Sequence, residues 1–70
     1  MDEKEYLKII GENIVKCRNE LGLKQIDLAL KLDMEDSSLR RIEKGRTNPT
    51  ITMLKRISEA LGVSVNDLLP

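Results

Sequence analysis

The sequence contains no histidine, no tryptophan and no phenylalanine, and only one cysteine and one tyrosine. A lone cysteine excludes an internal disulfide. With histidine also missing, the usual zinc ligand sets are excluded, and neither a metal nor a cofactor is expected. No nucleophile stands beside a base, and there is no glycine-rich phosphate loop, so the chain does not read as an enzyme. The core must be aliphatic, because Tyr6 is the only aromatic residue. No apolar run approaches the roughly 20 residues that cross a bilayer. The opening Met1-Asp2-Glu3-Lys4-Glu5 is charged and mostly acidic, unlike a signal or transit peptide. A cytoplasmic location is expected, and a free thiol suits it. The 70 residues suffice for one domain, 1–70, near the lower limit of what folds without staples.

What is present is charge and aliphatic periodicity. The formal net charge is zero, but the charges are unevenly placed. Residues 40 to 56 hold six basic side chains (Arg40, Arg41, Lys44, Arg46, Lys55, Arg56) against Glu43 alone. A local basic field matters for docking on phosphates even where the total cancels.

The apolar spacing predicts five helices and no strands. Ile10, Ile14, Cys17 and Leu21 form one stripe along a first helix from about Lys4 to Leu21, with Leu7 extending it. Gly22 suits a left-handed helix end. Gly11, inside this helix, costs roughly 1 kcal/mol relative to alanine, which a close backbone approach would explain. A second helix covers about Gln25 to Leu32, and a third about Asp36 to Lys44, ending at Gly45. Arg46-Thr47-Asn48-Pro49 is a loop rich in turn formers. Thr50 caps a fourth helix, Ile51 to Leu61, with a buried stripe of Ile51, Leu54, Ile57 or Ser58, and Leu61. Ser64-Val65-Asn66-Asp67 reads as a capping box opening a short fifth helix through Leu69. Cys17 reads as a packed, inert thiol, and Met34 as a residue covering the turn.

The middle of the chain carries the functional signal. Leu28, Ala29 and Leu32 share one face of the second helix, and Leu39 and Ile42 one face of the third. The small Ala29 lets the two helices cross closely. Two short helices joined by a tight turn are the pattern of a helix-turn-helix, whose second helix enters the DNA major groove.

The chain resembles the phage-repressor (Cro/repressor-like), Xre-type helix-turn-helix regulators. The resemblance runs from about residue 7 to 69 without gaps. It includes Ile10-Gly11-Glu12-Asn13-Ile14, Arg18, Leu21-Gly22-Leu23, Gln25, Leu28-Ala29, Leu32, Ile42-Glu43-Lys44-Gly45, Asn48-Pro49, Leu54 and Ala60-Leu61-Gly62-Val63-Ser64-Val65-Asn66-Asp67-Leu68-Leu69. It implies an all-α, compact five-helix bundle of the lambda-repressor-like kind, binding operator double-stranded DNA as a homodimer on an inverted repeat and acting as a transcriptional regulator, a repressor in the sense of that family. It places Asp36, Ser37 and Arg41 towards base edges, with Arg40 on the neighbouring flank. It places Lys44, Arg46, Thr47 and Asn48 along the phosphate backbone. Gln25 would hold a phosphate or buttress the third helix, and Arg18 and Glu43 would form a salt bridge between the first and third helices.

The sequence departs from the family at three positions. Lys24 stands where the second helix usually has a Ser or Thr cap, Asp33 where the turn usually has Gly, and Glu35 where the third helix is usually capped. Asp33, Glu35 and Asp36 gather negative charge at the start of the third helix. Carboxylates there favour the helix dipole and repel phosphate. Asp36 is also chemically suited to accept from a cytosine amino group, and Arg41 to grip a guanine. The acidic cluster and zero net charge keep a second reading open: a protein-interaction module, such as an antitoxin or a degenerate regulator, on the same fold.

Overall fold

The computed structural model describes residues 1–70. Four α-helices follow one another: α1 Glu3–Glu20, α2 Gln25–Lys31, α3 Asp36–Glu43 and α4 Ile51–Leu61. A single 3-10 turn, Val65–Asp67, stands where the sequence suggested a fifth helix. The Ser64 N–H does donate to the Asp67 carboxylate at 2.9 Å. Only three residues separate that cap from Leu68, however, too few for an α-helical run.

Each element forms for a local reason. The Asp2 carboxylate accepts from the Glu5 N–H at 2.8 Å and starts α1. Thr50 accepts from the Met53 N–H at 3.1 Å and starts α4. Lys24 has no oxygen with which to cap α2, but Asp27 accepts from the Lys24 N–H at 2.8 Å, which supplies half of a capping box. Glu35 makes no capping bond to α3.

The four α-helices end alike. In each, a left-handed residue is followed by an N–H that reaches back five residues: Leu23 to Arg18, Met34 to Ala29, Arg46 to Arg41 and Val63 to Ser58. The left-handed residue is Gly22, Gly45 or Gly62 in three of them and Asp33, at φ 52°, in the fourth.

The core gathers Ile10 and Ile14 of α1, Leu28, Ala29 and Leu32 of α2 and its end, Leu39 and Ile42 of α3, Leu54, Ile57 and Leu61 of α4, and Leu68. Ile57 and Ser58 are both buried, and Ser58 satisfies its hydroxyl on the Lys55 carbonyl at 2.7 Å. Three stripe positions fall outside the core, the first being Leu7, which is only partly covered. Leu21 is 54% exposed because α1 has already ended there, and Ile51 is 69% exposed because the first turn of α4 projects beyond its neighbours. Asn13 donates to the Leu68 carbonyl at 3.0 Å and fastens the end of the chain to α1.

Cys17 is half-buried at the edge of the core. Burial, then the nearby Glu20 and Asp67 carboxylates, push its thiol pKa up, which disfavours the reactive thiolate. No helix is long and apolar enough to cross a membrane.

Candidate nucleic-acid interface

The geometry of α3 follows from what its two sides touch. Leu39, Ile42 and Glu43 are buried. By the 3.6-residue period, Ser37, Arg41 and Lys44 fall on the opposite side, with Asp36 and Arg40 together on one flank. Arg40, Arg41 and Lys44 are exposed, and Ser37 is partly covered.

The buried side is fastened by one carboxylate. Glu43 receives the Arg18 Nε at 2.9 Å and Nη2 at 3.3 Å, a two-pronged contact. Gln25 Nε2 adds a third bond at 2.7 Å. Arg18 also donates to the Leu23 carbonyl at 2.9 Å. Glu43 therefore ties α3 to α1 and to the start of α2, and no buried side-chain nitrogen or oxygen in the chain lacks a partner. Through this bond Gln25 buttresses α3.

Gly11 makes the α1–α3 approach possible. A Cβ at that position would lie 2.2 Å from the Glu43 carbonyl oxygen. The internal glycine that propensity disfavours is thus required by the backbone packed against it.

The outer side is built more loosely. Arg40 pairs with Asp36 at 3.6 Å, with both side chains about half exposed (50% and 51%). Arg41 Nη2 lies 3.4 Å from the Ser38 hydroxyl, and the Ser37 hydroxyl 3.5 Å from Glu35. Past α3, Arg46 and Asn48 are exposed and Thr47 is partly covered. One member of the basic segment is used internally: Arg56 donates to the Leu32 carbonyl and ties α4 to the end of α2. That bond satisfies a helix-terminal acceptor and takes Arg56 out of the outward-facing basic set. Charge counting could not separate it from its neighbours, because the bond depends on where the fold places Arg56 relative to the end of α2.

A family profile described as helix-turn-helix matches residues 14–68. An uncharacterized HTH-type transcriptional regulator, y4dJ, from Sinorhizobium fredii is 36% identical over 62 residues, covering 89% of this chain and 80% of that protein. The immunity repressor protein of Bacillus phage phi105 is 35% identical over 60 residues, covering 86% of this chain and 42% of the repressor. The chain therefore spans most of one relative and less than half of the other. Among solved structures, the restriction-modification controller protein C.AhdI from Aeromonas hydrophila superposes with a TM-score of 0.85, covering 90% of this chain and 96% of that one. At 24% identity this is a likeness of fold. The profile match over most of the chain, and a relative of comparable length above 30% identity, lead to one conclusion: the chain belongs to the helix-turn-helix family.

Proposed function

We infer that this chain is a sequence-specific DNA-binding transcriptional regulator, acting in the cytoplasm as a repressor and not as an enzyme. The observation that carries the reading is the two-sidedness of α3. Its inner side is locked by the Glu43 contacts, and its outer side presents Ser37, Arg41 and Lys44 free of the core. A rigidly held helix with polar and cationic side chains facing outward suits the major groove. On this reading Asp36, Ser37 and Arg41 face base edges, with Arg40 beside them. Lys44, Arg46, Thr47 and Asn48 follow the phosphates. The name of the phage relative, an immunity repressor, supports repression.

One recognition helix reads few base pairs, so binding calls for two copies on an inverted repeat. A pairing surface at the end of the chain would need Leu68 or Leu69 exposed, and Leu68 is fully buried while Leu69 is only partly covered. The surface favoured instead is the apolar cleft of about 430 Å³ where Tyr6 and Leu7 of α1 meet Pro49, Ile51 and Leu69.

Arg41→Ala and Arg46→Ala test the reading together. A bidentate arginine–guanine contact supplies roughly 1–3 kcal/mol of base discrimination, whereas a phosphate contact acts on any sequence. Arg41→Ala is expected to shrink the ratio of operator to random-DNA affinity, measured by fluorescence anisotropy on folded protein. Arg46→Ala is expected to weaken both about equally. A second reading, a protein-interaction module, is favoured by one observation: Ile26 and Leu30, a turn apart on α2, are 54% and 74% exposed. It takes over if neither arginine change alters DNA binding.

A further inference from the structure

Arg46 differs from the other arginines. Arg18, Arg40, Arg41 and Arg56 each have a partner within the chain, at Glu43, Asp36, Ser38 and Leu32 respectively. No side-chain hydrogen bond or ion pair within the chain engages the guanidinium of Arg46. The same is true of Lys44 and of Lys8, and all three are exposed. The fold brings these cations to one open cleft between the start of α1 and the loop after α3. Gly45 sets the closeness of that approach: a Cβ there would stand 2.7 Å from the Lys8 Cα. Lys4, one turn before Lys8 on the face that leads to Gly11, lines the cleft as well, and so do Asp2, Glu3 and Glu5.

We propose that this cleft is a seat for a DNA phosphodiester, in which Lys8 of α1 acts with Lys44 and Arg46, and Glu3 and Glu5 hold its strength down. The seat rests on the DNA-binding reading above and extends it to a helix that the helix-turn-helix pattern leaves out of the contact. The chemistry is direct. Three cations without internal partners converge, one of them a guanidinium whose fork matches phosphate oxygens. Each neutralised phosphate releases condensed counterions, so each contact leaves a signature in the salt dependence of binding. Asp2, Glu3 and Glu5 reduce the local field without occupying the cations, since none lies within ion-pair distance of them and the Asp2 carboxylate is engaged in capping α1.

The experiment measures binding of a random-sequence duplex by anisotropy over a series of salt concentrations, with melting curves confirming that each variant is folded. Lys8→Gln is expected to lower the salt slope by about 0.9 and to weaken binding roughly tenfold near 0.1 M salt. The double change Glu3→Gln with Glu5→Gln is expected to strengthen binding. Lys16→Gln, an exposed lysine on α1 outside the cleft, is expected to leave the slope unchanged. If Lys8→Gln keeps the wild-type slope while Arg46→Gln lowers it, the seat is refuted and the DNA reading stands. If Lys16→Gln matches Lys8→Gln, the effect is one of general charge and the seat is again refuted. If the wild-type chain does not bind the duplex at any salt, the DNA reading fails and the seat fails with it.

Discussion

The α3 helix has an ion pair at each end, and the two pairs are opposites. At its last residue, Glu43 meets Arg18 at 2.9 Å with side-chain exposures of 3% and 12%. Near its start, Asp36 meets Arg40 at 3.6 Å with both side chains about half in water. The first joins two helices and takes a further bond from Gln25. The second stays within one helix. Pairs of the same chemical type thus do different work. A desolvated carboxylate with its donors in place is architecture, because losing either partner strands a charge. An exposed i,i+4 pair contributes little to stability, so either partner can be released to a ligand at small cost. The fixed end of the helix and the adaptable end are separated by the length of α3 alone.

The largest test removes the charge from each pair in turn. Glu43→Gln leaves Arg18 buried without a counter-charge and is expected to cost about 3–5 kcal/mol. Asp36→Asn, the same change at the exposed pair, is expected to stay within about 0.5 kcal/mol. Chemical denaturation of both variants measures the gap, and similar losses would erase the contrast. A smaller effect comes from attacking the fastened end through α1. Gly11→Ala gains up to about 1 kcal/mol of helix propensity. It also drives a methyl group into the Glu43 carbonyl, and overpacking of this kind costs typically 1–3 kcal/mol. Net destabilisation is expected in thermal melts, and stabilisation would mean that α3 yields easily at that end. The smallest effect sharpens the adaptable end. Asp33 holds φ at 52° and its side chain makes no hydrogen bond. Asp33→Gly should therefore relieve about 1 kcal/mol of left-handed strain, partly offset by unfolded-state entropy. Equal or slightly higher stability, with tighter binding to random DNA, is expected from paired melting and anisotropy measurements.

The helices were legible because burial imposes a period. Ile10 and Ile14, Leu28 and Leu32, Leu39 and Ile42, and Leu54 and Leu61 occupy the core positions that their spacing indicates. Left-handed geometry was legible at Gly22 and at Asp33, where turn position outweighs residue type. Periodicity misled at helix ends. Leu21 and Ile51 continue their stripes on paper, but one lies past the end of its helix and the other faces solvent from the first residue of α4. The capping box from Ser64 to Asp67 was read correctly as a start, yet the chain allows only a 3-10 turn after it. Among polar partnerships, the Arg18–Glu43 pair was legible through the family resemblance and forms as expected, but partners outside that pattern were not legible. Arg56 and Arg46 look alike in a count of basic residues, and only the fold's placement of Arg56 beside the end of α2 gives one of them a carbonyl and leaves the other free.

The eight-residue α3 also behaves as a short lever. Buried packing at Leu39 and Ile42 and the carboxylate of Glu43 place its pivot towards the last turn. At a rise of 1.5 Å per residue, Asp36 stands roughly 10 Å from Glu43. A rocking motion of about 5° around that pivot moves the start of the helix by roughly 1 Å and the pivot hardly at all. That is about the difference between a hydrogen bond made and one missed. Any tilt about that end would therefore be felt most at Asp36 and Ser37, the residues proposed to face base edges.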